Sequence, residues 1–237
     1  DALGAARVEA VMMPFAYTSE LSVDCAERQA RTLGVDYQVI AINEIYASFL
    51  DVLDQEFQGL AVDVTEQNIQ ARARGVLLMA ISNKKGLLVL TTGNKSEIAV
   101  GYSTLYGDMA GGFDVLKDVS KTLVYKLARY RNAQKADCEA IPIEVINRPP
   151  SAELAPGQLD QDSLPDYDTL DAILELYVEQ DLSFESILEK GFLEADVKRV
   201  LRLVDRNEYK RRQGPIGVRL TKRGFGRDRR YPITNGW

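Results

Sequence analysis

An uninterrupted apolar run, Leu87-Leu-Val-Leu90, leads directly into Thr91-Thr-Gly-Asn-Lys-Ser-Glu97 and constrains this chain more than any other feature. Apolar residues on both faces of a short segment read as a buried parallel strand, here Leu87 to Thr92. In open α/β sheets, ligands bind just beyond the ends of such strands. The strand therefore delivers Thr92 and Glu97 to the mouth of a site. A second segment, Tyr106-Gly-Asp-Met-Ala-Gly-Gly112, follows at a distance that lets it fold back over the same mouth. Glycine lets backbone approach a phosphate closely, and carboxylates hold Mg²⁺.

The rest of the chain alternates strand and helix signals. Val8 to Met13 reads as a strand ended by Pro14. Ser22 is placed to cap a helix that runs to Leu33 and stops at Gly34. Val35 to Ile42 reads as a second strand, and Asn43 as the cap of a helix with Ile45, Phe49, Val52 and Leu53 on one face. Asp63-Val-Thr-Glu66 has the spacing of a capping box before a long helix over Thr65 to Ser82. Another helix begins near Ser120, with Leu123, Leu127 and Tyr130 on one face. This alternation predicts an α/β fold with a doubly wound parallel sheet over 5–146. The segment 147–168 holds four prolines and reads as a loop. In 169–237, Leu170, Ile173, Leu174 and Tyr177, then Val197, Val200, Leu201 and Val204, give two amphipathic helices, with a short helix near Ser183 to Lys190 between them.

Composition narrows the chemistry. The 237 residues include no histidine, which removes Ser-His-Asp triads, Cys-His pairs and imidazole metal sites within this sequence. Carboxylates, lysines, arginines, hydroxyls and backbone amides are left, a set compatible with phosphate chemistry. A net charge of −6 argues against general nucleic-acid binding. No apolar run approaches the roughly eighteen residues of a membrane helix. Cys25 and Cys138 lie far apart without metal-ligand spacing and read as reduced, buried thiols of a cytoplasmic protein. Lys210, Arg211, Arg212, Arg219, Lys222, Arg223, Arg227, Arg229 and Arg230 crowd the end of the chain. Tyr231, Pro232, Ile233 and Trp237 among them point to an ordered segment that docks.

These segments, with Lys117-Asp-Val-Ser-Lys-Thr-Leu-Val-Tyr125, Arg148-Pro-Pro-Ser-Ala-Glu-Leu154, Asp160-Gln-Asp-Ser-Leu164, Asp205-Arg-Asn-Glu-Tyr-Lys-Arg-Arg212 and Arg227-Asp-Arg-Arg-Tyr-Pro-Ile233, resemble the synthetase domain of glutamine-dependent NAD synthetases over nearly the whole chain. The resemblance implies a sheet of the adenine-nucleotide α-hydrolase (ATP pyrophosphatase) type. It implies ATP-dependent amidation of deamido-NAD through an adenylated intermediate, with Mg²⁺, in a homodimer or higher homo-oligomer. Ammonia would come from an attached glutaminase domain. The family's S-G-G-x-D-S loop, which cradles pyrophosphate, is not in this sequence. Asp1-Ala-Leu-Gly4 resembles the tail of the helix after that loop, so the sequence is expected to start beyond the first strand and to bind ATP weakly by itself.

By the same resemblance Thr92, Lys121 and Ser151 contact ATP. Asn68, Arg72, Glu97, Asp108 and Lys210 serve deamido-NAD, and Glu97 also serves the metal. Several have a plainer alternative. Thr92 and Glu97 fit a helix N-terminus, the latter as a favourable charge. Asp108 beside Gly107 fits a turn. Asn68 and Arg72, four apart on one helix face, fit a solvated surface. Lys121 alone fits an ordinary surface charge, whereas Lys210 offers a compact positive charge for a phosphate or carboxylate. Ala71, Gly75 and the apolar 76–81 run suit close packing against a partner helix. Met12, Met13, Phe15 and Tyr17 near the first strand's end lie where fold analogy places an adenine, but core packing is the commoner reason for such residues, and they are not assigned to the site. Two other functions stay open: a catalytically silent interaction fragment, and a related amidase of the same pyrophosphatase group.

Overall fold

The computed structural model describes residues 1–134 and 139–234; Cys138 and Trp237 lie outside the described residues. In chain order the elements are β1 (Glu9–Met12), α1 (Glu20–Leu33), β2 (Asp36–Val39), α2 (Asn43–Phe57), α3 (Val64–Lys85), β3 (Leu90–Thr91), α4 (Lys95–Val100), β4 (Phe113–Asp114), α5 (Lys121–Ala133), α6 (Ile143–Asn147), α7 (Tyr167–Leu174), α8 (Phe184–Leu188), α9 (Glu194–Arg206) and α10 (Glu208–Arg211). A π-helical turn, Glu175–Glu179, continues α7. The chain forms two compact units, Asp1–Arg74 with Tyr125–Asp162, and Gly75–Val124 with Ser163–Trp237.

In the first unit β1 and β2 pair in parallel, Glu9 opposite Asp36 and Met12 opposite Val39. The helix α1 makes the crossover that a parallel pair requires. Its cap is Ser19, whose hydroxyl accepts the Ser22 N–H at 3.2 Å, and Gly34 ends it in the left-handed region. The expected cap, Ser22, instead donates its hydroxyl to Glu153. Two serines three apart both satisfy the pattern, and the one at the chain's entry angle takes the role. Asn43 opens α2 without a side-chain cap. The start of α3 follows the sequence more closely: Asp63 Oδ1 accepts the Thr65 N–H at 2.7 Å, and Glu66 Oε2 accepts the Asp63 N–H at 2.8 Å. The face of α2 expected to be buried is largely open, with Val52 82% exposed. Cys25 is buried, as expected.

In the second unit β3 and β4 pair in parallel, Leu90 opposite Phe113 and Thr91 opposite Asp114. The expected strand over Leu87 to Thr92 is two residues long and its leading leucines are not buried: Leu88 is 65% exposed. Its one strand neighbour among the described residues is β4. Leu123 of α5 is exposed as well, as are Leu127 and Tyr130 in the part of α5 that belongs to the first unit.

The core of this unit is helical. Leu170, Ile173 and Leu174 of α7, Val178, Ile187 of α8, and Val197, Val200 and Val204 of α9 pack on Ala99 and Val100 of α4. Each such side chain contributes about 1.5–3 kcal/mol on burial. Gly75 is small for a local reason. A Cβ there would stand 2.7 Å from the Tyr106 carbonyl oxygen and 2.9 Å from that of Gly107. Its own unit therefore requires the glycine, whatever a partner helix might add.

The end of the chain docks onto this core. Arg211 is buried, with its guanidinium 4.8 Å from the Phe225 ring centre and 5.5 Å from that of Tyr231. It donates to the carbonyls of Ala99 and Val204 and pairs with Glu208. Lys95, buried at the start of α4, donates to Asp118 at 2.8 Å, Glu179 at 2.9 Å and Thr221 Oγ1 at 2.7 Å. Asp118 also accepts the N–H groups of Leu220 and Thr221, each at 2.7 Å. Burial works against the Asp118 charge, yet Lys95 and these N–H groups outweigh it and hold the carboxyl below its usual range. Removing one partner of a buried pair strands the other. Asp118→Ala should therefore cost about 3 kcal/mol in urea denaturation; a cost below about 1 kcal/mol, the range of an exposed pair, would contradict this role.

Candidate functional site

The site grows from the turn between β3 and α4. Asn94 Oδ1 accepts the Glu97 N–H at 3.1 Å, and Glu97 Oε2 accepts the Asn94 N–H at 3.2 Å, a complete capping box. The second Glu97 oxygen accepts from Lys121 Nζ at 2.8 Å. Lys121 opens α5, where its own N–H donates to Ser96 Oγ at 2.8 Å. The next N–H, of Thr122, donates to Asp171 at 2.9 Å, and Ser96 donates its hydroxyl to the same carboxylate. Lys121 Nζ lies 5.2 Å from the centre of the Tyr167 ring. The Glu97–Lys121 pair is thus held from both ends, and both side chains are less than one-fifth exposed.

A shallow concave pocket, partly open to solvent, lies beside this pair. Thr91, Glu97, Asp108, Asp114, Lys117 and Arg211 are in its walls. Asp108 Oδ1 accepts the Thr104 N–H at 2.7 Å. The pocket walls crowd the Asp108 carboxyl and raise it, although the residue keeps contact with solvent, which limits the effect. Lys210 donates to the carbonyls of Gly101 and Ser103, both at 2.8 Å, and its charge opposes that rise. These two carbonyls belong to the loop after α4, so Lys210 also fixes that loop.

Four of the anticipated residues therefore converge: Glu97 and Asp108 in the pocket, Lys121 on Glu97, and Lys210 electrically beside Asp108. Thr92 is exposed at the end of β3, and its neighbour Thr91 lines the pocket instead. A two-residue strand leaves the register open to this one-position difference. Asn68 and Arg72 belong to α3 in the first unit, half-buried and exposed respectively. Ser151, also in that unit, accepts the Glu153 N–H at 3.0 Å and donates to the Gln158 carbonyl. Its loop is fixed by Arg148, which donates to Ser22 Oγ at 2.7 Å, and by the buried Gln70, which donates to the Leu154 carbonyl at 3.0 Å. Among the described residues, no three His, Cys, Asp or Glu side chains form a metal-ligand group. None of the described helices is long and apolar enough to cross a membrane.

Asp114 was not singled out by sequence. It is 3% exposed, accepts the Leu116 N–H at 3.2 Å and faces the pocket. Its signal is local: Gly111-Gly-Phe-Asp114 continues the acidic loop that contains Asp108. Burial pushes its carboxyl up to about 6, against the pull of Lys117. Lys117 is itself lowered by burial. Between the ordinary value of 3.8 and about 6, the folded protein keeps a proton that the unfolded chain has released. Stability should therefore fall as pH rises through that window and level off above it. Asp114→Asn should flatten this slope and be more stable than the parent by about 2 kcal/mol at pH 7. Urea denaturation at pH 4.5 and pH 7 checks this; parallel slopes in both proteins would contradict it.

Comparisons with known proteins identify the family. A family model described as NAD synthase matches residues 1–214. The glutamine-dependent NAD(+) synthetase of Acinetobacter baylyi is 60% identical over 237 residues, all of this chain and 44% of that protein. A solved structure of the glutamine-dependent NAD+ synthetase of Acinetobacter baumannii, in complex with ADP, is 56% identical with a TM-score of 0.62, covering all of this chain and 42% of that one. The ammonia-dependent NAD synthetase of Campylobacter jejuni is more distant, at 25% identity and a TM-score of 0.63, covering 85% of this chain and 74% of its own. The chain spans about two fifths of the length of its glutamine-dependent relatives. It belongs to the NAD synthase family.

Proposed function

We propose that this chain is the amidating part of a glutamine-dependent NAD synthetase. The observation that carries the reading is the pocket at the carboxyl end of β3, where Glu97 and Asp108 meet with Lys121 and Lys210 close by. In the reaction, the nicotinate carboxylate of deamido-NAD attacks the α-phosphorus of ATP and pyrophosphate leaves. Ammonia then attacks the adenylated carbonyl, the carbonyl–oxygen bond to AMP breaks, and a proton is lost from nitrogen.

Two polyanions must lie side by side for the first step, so positive charge must offset their repulsion. Lys121, poised on Glu97, supplies it for the ATP phosphates, and Lys210 for deamido-NAD. Thr92 adds a hydroxyl for ATP; for Ser151 toward ATP, and for Asn68 and Arg72 toward deamido-NAD, the support is the family resemblance alone. Mg²⁺ usually takes one or two protein carboxylates and completes its shell with water and substrate phosphates. Glu97 and Asp108 fit that role: they share the pocket, and no larger preformed ligand group is needed. The metal would neutralise phosphate charge. Apolar walls, including Ile98 and Tyr102, help shield an adenylate from water. A homo-oligomer is supported by exposed apolar residues of α3 such as Val76.

The test uses a hybrid enzyme in which this chain replaces the matching 44% of the Acinetobacter baylyi relative. Supplied with ATP, deamido-NAD and ammonium, it should form NAD and AMP in equal amounts. Glu97→Gln preserves the capping box, because glutamine fills the same role. It should lower kcat by about 100-fold, the scale of losing one key electrostatic group, while the protein still folds cooperatively, with a melting temperature lowered by the loss of the Lys121 pair. Lys210→Ala should raise KM for deamido-NAD by about tenfold. Full turnover in Glu97→Gln would refute the assignment, and an inactive hybrid would favour a silent interaction fragment.

A further inference from the structure

The family model ends at Gly214, yet the glutamine-dependent relative from Acinetobacter baylyi matches the chain throughout. The segment beyond Gly214 is firmly built. The Ile216 carbonyl accepts the Asp114 N–H at 2.8 Å, and Gly217 forms a parallel bridge with Asp114. A Cβ on Gly217 would stand 2.4 Å from the Asp114 carbonyl oxygen, so only glycine lets the segment lie this close to β4. The Pro215 carbonyl accepts from Lys117 Nζ, and Asp118 holds Leu220 and Thr221. Ile216, Val218 and Leu220 recur at every second position, a spacing that places them on one side of an extended segment. All three are exposed, Ile216 at 73%. Exposed basic residues lie within and just after this segment in the chain, among them Arg219, Lys222, Arg227 and Arg230.

A rigid edge with an apolar stripe and a basic border is a protein-binding surface rather than a loose tail. Its backbone edge away from β4 has no strand partner among the described residues. We propose that residues 216–220 dock the glutamine-hydrolysing part that the relatives carry in the remainder of their length, through an apolar strip bordered by carboxylates on that part. This rests on the proposed function. Two observations choose this occupant. The segment lies outside the shared synthase model but inside the match to a glutamine-dependent protein, and more than half of that relative lies outside the match. The basic border calls for an acidic complement. The same segment ends at Asp114 and Pro215 of the pocket, so docking would bring the ammonia source to the strand that lines the amidating site.

Val218→Asp and Leu220→Asp place charges at exposed positions and leave the pocket intact. In the hybrid enzyme they should lower glutamine-driven NAD formation at least about tenfold, with ammonium-driven formation and melting temperature unchanged. Equal glutamine-driven rates in parent and variants would overturn the proposal. So would an equal loss with glutamine and with ammonium, which would assign the segment to the synthetase site itself. Hydrogen exchange reads the same contact without turnover. Amides of 216–220 should exchange at least about tenfold more slowly in the hybrid than in this chain alone, and Val218→Asp should abolish the difference. Equal exchange rates would overturn docking even if amidation is confirmed. Protection in a hybrid that makes no NAD would uphold docking while refuting the proposed function.

Discussion

The buried Lys95 ammonium organises the second unit. It sits at the start of α4, where a lone cation would be costly, and three partners from distant parts of the chain meet it: Asp118 before α5, Glu179 in the π-helical turn and Thr221 near the end. Burial makes these contacts obligatory rather than optional. Asp118 passes the constraint on, because its carboxylate also collects the N–H groups of Leu220 and Thr221. That anchors the final segment beside β4 and places Pro215 in the pocket wall.

The electrostatics of the pocket follow from this frame. Glu97, Asp108 and Asp114 line one cavity, and the Glu97 charge raises both of the others. Such crowding is uncomfortable until positive charge arrives. Lys121 meets Glu97 at 2.8 Å, Lys210 opposes the rise at Asp108, and Lys117 does so at Asp114. A cation with its phosphates suits this environment, since it adds charge where carboxylates already repel one another. Glu97 has two tasks. It closes the capping box of α4 and it faces the pocket, so the plain structural role and the functional one coexist in one side chain.

Periodic features were legible in the sequence. Val197, Val200 and Val204 repeat at helical spacing and are fully buried in α9, and the Asp63–Glu66 pattern caps α3. Ordering of the basic end was legible too, because aromatic residues interleave the arginines, and Arg211 between Phe225 and Tyr231 is the physical outcome. The exposure of Leu88 was not legible. An apolar run states what would be buried if covered, not what covers it. The choice between Thr91 and Thr92 depends on strand register, which two residues of pairing hardly fix. Asp114 escaped because a carboxylate after two glycines looks like a turn until β4 carries it into the pocket. The spacing of Ala71 and Gly75 suits a partner helix, whereas the Tyr106 and Gly107 carbonyls of its own unit already require a glycine at 75.

The account stands on adenylation of a carboxylate held in this pocket. Deamido-NAD labelled with ¹⁸O in its nicotinate carboxylate tests that directly in the hybrid enzyme. Activation at the α-phosphorus transfers one labelled oxygen to AMP in each turnover, and mass spectrometry of the AMP should find it. Label in inorganic phosphate, with ADP as the nucleotide product, would place the attack at the γ-phosphorus and contradict the account.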